Sequence, residues 1–235
     1  MTIKRIIGEL LYPRRCPICD CCISPKELIC KKCVSLIRPI EGECCKKCGK
    51  SLTDEDRIYC FDCSKKIHYF DRNYALFEYK DIKKSLYRFK YSGRAEYAAF
   101  YAYVAYKKLG HVFAGLNVDA IIPVPIHKGR RRERGYNQAE EFAKCLSNYI
   151  NVPVVNDLVI RKKKTLPLKN LSGKERINNL KRAFIIARND VKLKTIIIVD
   201  DIYTTGATFD TLSVVLRATG IEKIYCLTVA VGKGL

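Results

Sequence analysis

Beyond about residue 72, apolar and polar positions alternate with the periods of strands and helices. Five segments have the pattern of strands: residues 73–79, 119–125, 152–160, 195–199 and 221–231. Four segments have the pattern of helices: residues 81–93, residues 95–110, a segment that begins at Asn137, and residues 208–218. Because strands alternate with helices and several strands are continuously apolar, the pattern predicts a doubly wound α/β domain with a mostly parallel sheet.

The first 70 residues lack this alternation and instead contain eleven of the 13 cysteines. Eight of them form four CxxC pairs: Cys16 with Cys19, Cys30 with Cys33, Cys45 with Cys48, and Cys60 with Cys63. One CxxC turn supplies two thiolates, and two such turns complete the tetrahedral shell of a structural zinc ion. The spacing therefore predicts a small double zinc ribbon with two zinc ions over residues 1–70, followed by the α/β domain over residues 71–235.

The spacing leaves the pairing of the four CxxC turns open. The two halves are offset by 29 or 30 residues, which favours two tandem ribbons, and a cross-brace of alternate turns is the alternative. Cys44 could replace Cys45 as a ligand, with a CxxxC spacing. A redox function is disfavoured, because a redox centre rarely needs four evenly repeated pairs.

The chain carries a formal net charge of +20, and this charge is unevenly distributed. Residues 128–182 alone carry half of it, whereas the thiolates and zinc ions of the ribbons nearly neutralise residues 1–70. A concentrated positive charge favours polyanionic partners. Two basic segments predicted as loops, residues 128–134 and 161–182, are therefore candidate contacts for single-stranded DNA.

The apolar segments are too short for membrane insertion. The longest, from Tyr97 to Tyr106, has about half the length that a spanning helix requires. The N-terminal segment has no small-residue cleavage site after its apolar part. We therefore expect a soluble, cytoplasmic protein.

A candidate ligand site follows two of the predicted strands. Ligands bind at the carboxyl ends of parallel strands, which here means the loops after Val124 and Val199. After Val199 come the adjacent carboxylates of Asp200 and Asp201, and then a loop of small residues at 204–208 before a helix. Backbone N–H groups at a helix N-terminus bind phosphate, and paired carboxylates suit vicinal hydroxyls or Mg²⁺. The pattern predicts a ligand of the ribose 5-phosphate type.

The segment from residue 196 to residue 208 resembles the signature with which phosphoribosyltransferases bind phosphoribosyl pyrophosphate (PRPP), although Tyr203 stands where that family often has Val or Ile. A second segment, IPVPIHKGRRRERGYNQA at 122–139, narrows the resemblance. Together with the ribbons and residues 171–184, it resembles the late-competence ComF family across nearly the whole chain. Leu168 departs from that family, whose members often have Gln there.

This resemblance implies a double zinc ribbon joined to a phosphoribosyltransferase-type domain, with a hood at 72–115 and a core at 116–235. It implies that Asp200 and Asp201 bind the ribose hydroxyls, directly or through Mg²⁺, and that Lys128 faces the diphosphate. These three are the candidate catalytic residues. The other candidate PRPP contacts are Pro125, His127, Thr204, Thr205, Gly206, Ala207 and Thr208.

Two further expectations follow from the same resemblance. Residues 161–182 resemble the family's flexible loop that closes over the pyrophosphate, with Lys163, Lys164 and Arg176 as candidate cations. His127 is a candidate phosphate donor, and a cap of the local backbone is the alternative.

Two functions compete at this point. The favoured one is an enzyme that transfers the phosphoribosyl group of PRPP to an unidentified nitrogen nucleophile, in a family associated with the uptake of transforming DNA. The alternative is a non-catalytic module that senses PRPP and binds single-stranded DNA and a competence helicase. A PRPP-responsive transcription regulator ranks last, because no helix-turn-helix pattern is evident.

Overall fold

A computed structural model describes residues 13–54, 57–161, 184–187 and 192–232. The helices in this part of the chain are α1 (Lys31–Val34), α2 (Phe61–Ser64), α3 (Tyr79–Tyr91), α4 (Tyr97–Gly115), α5 (Lys128–Arg134), α6 (Gln138–Ile150) and α7 (Ala207–Arg217). The strands are β1 (Arg72–Glu78), β2 (Ala120–Pro123), β3 (Val159–Arg161), β4 (Phe184–Ile186), β5 (Thr195–Tyr203) and β6 (Lys223–Val231). Among the described residues, no helix is long and apolar enough to cross a bilayer.

Four of the strands form one parallel sheet in the order β1–β6–β5–β2. β3 and β4 form a separate antiparallel pair. Consecutive residues of the central strands are fully buried, for example Ile196 to Val199 in β5, which means that both faces of the sheet are covered. The predicted fold class, zinc ribbons followed by a mostly parallel α/β sheet, is confirmed.

The helices cover the sheet with apolar faces. α4 and α6 pack against each other, and α6 also contacts β2 and β5. α6 begins after Asn137, whose side chain accepts a hydrogen bond from the N–H of Ala139 and caps the helix. The buried residues of α6 include a stripe at helical spacing: Ala139, Phe142, Ala143 and Leu146.

Two predicted loops are partly regular structure. Strand β5 continues to Tyr203, and Asp200 and Asp201 therefore belong to the end of the strand and not to a loop. The basic segment 128–134 is the helix α5, because His127 caps its first turn and Gly135, at φ 79°, ends it.

The region from residue 152 to residue 182 also differs from its prediction. Of the predicted strand at 152–160, Val154 makes a single parallel bridge to Ile121, and regular pairing begins only at Val159. Arg161, predicted as the start of the basic loop, is the last residue of β3. Residues 162–182 lie outside the described residues.

The two cysteine ribbons repeat one hydrogen-bonding pattern. In each, the N–H of the first cysteine (Cys16 or Cys45) donates to the carbonyl five residues later, and the residue four positions after this cysteine donates back to it. That residue is Asp20 in the first ribbon (residues 16–33) and Gly49 in the second (residues 45–63), and both have left-handed φ, 62° and 76°. The internal repeat inferred from the spacing is therefore also a structural repeat.

Candidate functional site

The eight predicted cysteine ligands lie in two groups of four. In each group the sulfur atoms lie within 4.8 Å of one another; the groups are Cys16, Cys19, Cys30 and Cys33, and Cys45, Cys48, Cys60 and Cys63. Sulfurs at 2.3 Å from a tetrahedral zinc ion would be about 3.8 Å apart. The Sγ atoms of Cys19 and Cys30 are 3.7 Å apart, and those of Cys48 and Cys60 are 3.6 Å apart. Both groups therefore fit a structural zinc ion.

This grouping decides between the alternatives that the spacing left open. Neighbouring CxxC turns combine, as tandem ribbons require, and alternate turns do not. Cys45 lies in the second group, whereas the neighbouring Cys44 directs its Sγ to the carbonyl oxygen of Gly42, 3.5 Å away.

The acid pair lies at the carboxyl end of β5. The carboxylate of Asp200 accepts a hydrogen bond from the N–H of Asp201, at 2.8 Å. Desolvation, and next the negative charge of Asp201, raise the pKa of Asp200 to about 7. A carboxyl group with such a pKa is partly protonated near neutral pH, and a nearby cation would favour its charged form.

A lysine from α3 meets the second acid of the pair. Nζ of Lys90 lies 3.0 Å from Oδ2 of Asp201, and both side chains are largely buried. The sequence analysis did not single out Lys90. It shares the helical spacing of the buried stripe of Ile82, Leu86 and Phe89, and a lysine on an apolar stripe is the signal that could have revealed it.

Two arginines contribute further positive charge near Asp200. Burial, and next the positive charge of Arg130, lower the pKa of Arg161, and the negative charge of Asp200 opposes this effect. The guanidinium of Arg161 lies over the ring of Phe184, 5.4 Å from its centroid. Its Nε atom is buried and has no hydrogen-bond partner among the described residues. Arg161 is thus a half-buried cation whose Nε has hydrogen-bonding capacity that these residues leave unused.

The predicted diphosphate segment meets the same edge of the sheet, because β2 pairs with β5 and Pro123 lies opposite Val199. Pro125 to His127 follow β2, and Lys128 is the exposed first residue of α5. Nδ1 of His127 accepts from the N–H of Gly129 at 3.1 Å, so this histidine caps the local backbone.

The predicted phosphate loop connects β5 to α7. Thr204 and Thr205 are exposed, Gly206 has φ 75°, and α7 begins at Ala207, with Thr208 in its first turn. A Cβ atom at Gly206 would lie 2.5 Å from Oη of Tyr203, and only glycine fits there. The loop thus carries free backbone donors at the N-terminus of an 11-residue helix.

A second group of residues around this loop was also missed by the sequence analysis. Lys66 and His68, which follow the last cysteine of the second ribbon, contact the loop and Asp210 of α7. No sequence signal reports these contacts, because they join residues more than 130 positions apart.

Comparison with known proteins adds independent observations. A family model described as a double zinc ribbon domain matches residues 7–64. Competence protein ComFC of Bacillus subtilis is 30% identical over 194 residues, which cover 79% of this chain and 76% of that protein. Competence protein F of Haemophilus influenzae is 42% identical over 108 residues, 45% of this chain and 47% of that protein.

Two further similarities each cover about 60% of this chain. DNA utilization protein YhgH of Escherichia coli K12 is 29% identical over 147 residues, 60% of this chain and 64% of that protein. The chain thus spans about half of the Haemophilus protein and just under two thirds of the Escherichia coli protein. Among solved structures, adenine phosphoribosyltransferase from Saccharomyces cerevisiae shares 18% identity, covering 62% of this chain and 74% of that chain, with a TM-score of 0.37.

The structure defines a class of protein in which a double zinc ribbon precedes a parallel α/β domain. An acid pair and a glycine-containing loop lie at the carboxyl edge of its sheet. The extent of the similarity to ComFC makes the assignment specific. The chain belongs to the ComF family, as the sequence resemblance predicted.

Proposed function

We propose that the protein binds PRPP with Mg²⁺ at the carboxyl edge of its sheet and transfers the phosphoribosyl group to a nitrogen nucleophile, in the context of DNA uptake. One observation carries the proposal: an acid pair, a phosphate-type loop and several cations meet at one edge of the sheet. The names of the relatives, competence proteins and DNA utilization proteins, support the biological context.

In this proposal the two ends of the ribose 5-phosphate have separate binding groups. The N–H groups at residues 204–208 and the dipole of α7 would hold the 5-phosphate, with the threonine hydroxyls as further donors. Asp200 and Asp201 would bind the ribose hydroxyls, directly or through Mg²⁺, because carboxylate oxygens are ligands that Mg²⁺ prefers. Lys90 would then hold the carboxylate of Asp201 in a fixed orientation.

The leaving diphosphate needs positive charge, because negative charge develops on it as the bond to C1 breaks. Lys128 is the proposed catalytic cation, and Pro125 and His127 would shape the backbone before it. Arg130 and Arg161 extend the positive charge toward Asp200. Bound Mg²⁺ would supply Lewis-acid stabilisation of the diphosphate oxygens.

A cleft beside the phosphate loop supports a planar nitrogen nucleophile as the acceptor of the phosphoribosyl group. It has a volume of about 530 Å³ and lies where β1, β5 and β6 end. Its walls include Tyr79, Ile202 and Val231, with Glu78 and Thr204 as polar groups at the same cleft. An aromatic and aliphatic wall with a few polar groups is typical of sites for planar heterocycles, which include the nitrogen bases.

Calorimetric titration of PRPP with Mg²⁺ tests this proposal. We expect wild type to bind and the variant Asp200→Asn/Asp201→Asn to lose binding by at least about 100-fold, because the metal and hydroxyl ligands are removed. The matched control is Glu41→Gln/Glu43→Gln, which removes two exposed carboxylates near the second ribbon. Released pyrophosphate, measured with candidate bases in the same samples, tests transfer. Absence of binding in wild type would overturn the proposal.

A second candidate function, binding of single-stranded DNA without turnover, is favoured by one surface. Tyr87 and Tyr91 of α3 are exposed, with ring centroids 5.2 Å apart, and the guanidinium of Arg134 lies 4.9 Å from the centroid of Tyr91. Exposed aromatic rings beside a basic helix provide stacking surfaces for bases. Two related expectations stay predictions: that residues 161–182 contact single-stranded DNA, and that a competence helicase is a partner.

Fluorescence anisotropy with an oligothymidine probe separates this function from the first. We expect Tyr87→Ala/Tyr91→Ala to weaken binding about tenfold or more. The control Tyr103→Ala/Tyr106→Ala removes two similarly exposed tyrosines of α4. If the affinity falls steeply as the salt concentration rises, basic residues such as those of α5 also contact the DNA phosphates. If both double variants bind with equal affinity, the α3 surface is not the DNA-binding site.

A further inference from the structure

The chain that follows the second ribbon packs against the phosphate loop. Nζ of Lys66 donates a hydrogen bond to the carbonyl oxygen of Thr205, at 2.8 Å. A Cβ atom at Gly206 would lie 2.8 Å from Cε1 of His68, which shows how closely the loop approaches this histidine. A small cavity of about 260 Å³ lies between the ribbon and the loop, with Cys63 and Thr204 among its walls.

A buried carboxylate holds this contact together. The side chain of Asp210, in α7, is 7% exposed. It accepts hydrogen bonds from the N–H of Tyr69 at 3.0 Å and from Nδ1 of His68 at 3.0 Å, and Nζ of Lys66 lies 3.2 Å away. A carboxylate with three donors is a strong attachment, because hydrogen bonds to charged groups are about twice as strong as neutral ones.

The same histidine reaches toward the metal-binding cysteines. Nε2 of His68 lies 3.8 Å from Sγ of Cys63 and 3.4 Å from Oη of Tyr203. A continuous set of contacts therefore runs from the second Cys₄ group through His68 to Asp210, and from Asp210 through Lys66 to the loop.

The contact with Lys66 fixes the direction of a backbone donor. In a trans peptide the C=O of one residue and the N–H of the next point in opposite directions, and no cis peptide occurs among the described residues. Because Nζ of Lys66 holds the carbonyl of Thr205, the N–H of Gly206 points away from Nζ of Lys66. A phosphate bound by this N–H would lie on the side of the loop opposite Lys66.

We propose that Lys66, His68 and Asp210 are positioning residues through which the second ribbon holds the loop at 204–206 in its phosphate-binding conformation. The inference rests on the proposed function for its ligand, a phosphate monoester such as that of PRPP. Among the described residues, the first ribbon makes its polar contacts elsewhere in the domain: to Arg88 of α3, to Arg94 in the connection between α3 and α4, and to Tyr97 of α4.

Lys66→Met is the test variant, Lys66→Arg the rescue, and Lys65→Met the matched control. Lys65 is the adjacent lysine: its Nζ lies over the ring of Phe61 at 3.9 Å, and among the described residues it borders the cavity without a hydrogen bond to the loop. We expect Lys66→Met to bind PRPP with Mg²⁺ about tenfold more weakly, while Lys66→Arg and Lys65→Met stay within about twofold of wild type. Zinc content should stay at two ions per chain in all three, which separates positioning from loss of the ribbon.

Hydrogen exchange of the backbone amides at 203–210 tests the positioning without any ligand. We expect about tenfold faster exchange there in Lys66→Met and in Asp210→Asn, and unchanged exchange in Lys65→Met. If wild type binds no PRPP, the proposed function fails, and the exchange comparison still decides the positioning. Equal loop exchange in wild type, Lys66→Met and Asp210→Asn would overturn the inference.

Discussion

The two ribbons share one metal geometry and one turn pattern, but they attach to the α/β domain in different ways. Among the described residues, the first ribbon is held by side chains of the domain: Asp20, for example, accepts from Oη of Tyr97 at 2.6 Å and from Nε of Arg94 at 3.1 Å. The second ribbon also pairs with the domain backbone: the N–H of Asn73 in β1 donates to the carbonyl of Lys47 at 2.7 Å, and Nδ2 of Asn73 donates to the carbonyl of Cys48 at 2.8 Å.

The equivalent residues Asp20 and Gly49 account for this difference. A Cβ atom at Gly49 would lie 2.9 Å from the carbonyl oxygen of Asn73, and only a residue without a side chain lets this turn contact β1. At the same position of the first ribbon, a carboxylate bridges a larger gap to α4. The repeat thus keeps the same cysteine arrangement, while the residue at this position differs with the way each ribbon contacts the domain.

Loss of a metal ligand should give the largest difference in stability between variants of the two ribbons. Cys60 and Cys30 occupy equivalent positions, each directly before the first residue of a short helix, α2 and α1 respectively. We expect Cys60→Ser to lower the melting temperature by about 10 °C or more, because Cys45 and Cys48 of this ribbon belong to the main core. Cys30→Ser should cost less than half as much. Circular dichroism and zinc analysis measure both effects, with the exposed Cys22→Ser as control; equal losses would remove the distinction between the ribbons.

A substitution at Gly49 should give the next largest effect. Gly49→Ala places a methyl group against β1 and strains a left-handed residue, and we expect it to cost about 2–4 kcal/mol of unfolding free energy. Gly42→Ala is the matched control, since Gly42 has φ 74° but nothing within 4 Å of its Cβ position. The control should cost about 1–2 kcal/mol. Denaturant titration measures the difference, and equal costs would mean that the contact with β1 is unimportant.

The smallest effect should be a pH dependence confined to the first ribbon. Burial acts to raise the pKa of Asp20, but hydrogen bonds from Tyr97 and Arg94 outweigh it and lower this pKa. A lowered pKa in the folded state gives stability that is present above about pH 4 and is lost as the pH falls through the folded value.

Asp20→Asn should therefore cost about 1 kcal/mol at pH 7, a small value because the carboxylate is partly exposed, and should match wild type at low pH. Melting temperatures from pH 3 to pH 8 check this expectation. A constant difference over that range would assign the effect to packing and not to charge.

The sequence was sufficient for those features that local spacing determines. CxxC spacing predicted the eight cysteine ligands, and a continuous apolar run predicted strand β5, although the strand extends past the predicted end at Val199 to include Asp200 and Asp201. The prediction of a loop at 128–134 was wrong. A run of arginines has good helix propensity, and here His127 and Gly135 begin and end a helix. Of the two roles considered for His127, the structure shows the cap of the local backbone.

Patterns of this kind could not predict contacts between distant segments of the chain. Lys90 against Asp201 and Lys66 against Thr205 depend on how helices and ribbons pack, and tertiary packing has no local periodicity. The domain boundary at residue 70 stays a prediction. The observed core is continuous across it, since Cys48 and Phe70 belong to the same buried cluster as Leu76.

The backbone contacts of the second ribbon also protect an edge. β1 is the outermost strand of the sheet, and an uncovered outer strand offers unpaired N–H and C=O groups to other chains. Lys47 accepts from Asn73, and the N–H of Ile40, just before the ribbon, donates to the carbonyl of Leu76 at 2.8 Å. Zinc deprivation would therefore do more than loosen a small appendage. It would expose a strand edge, and self-association of the protein would become a consequence of metal supply.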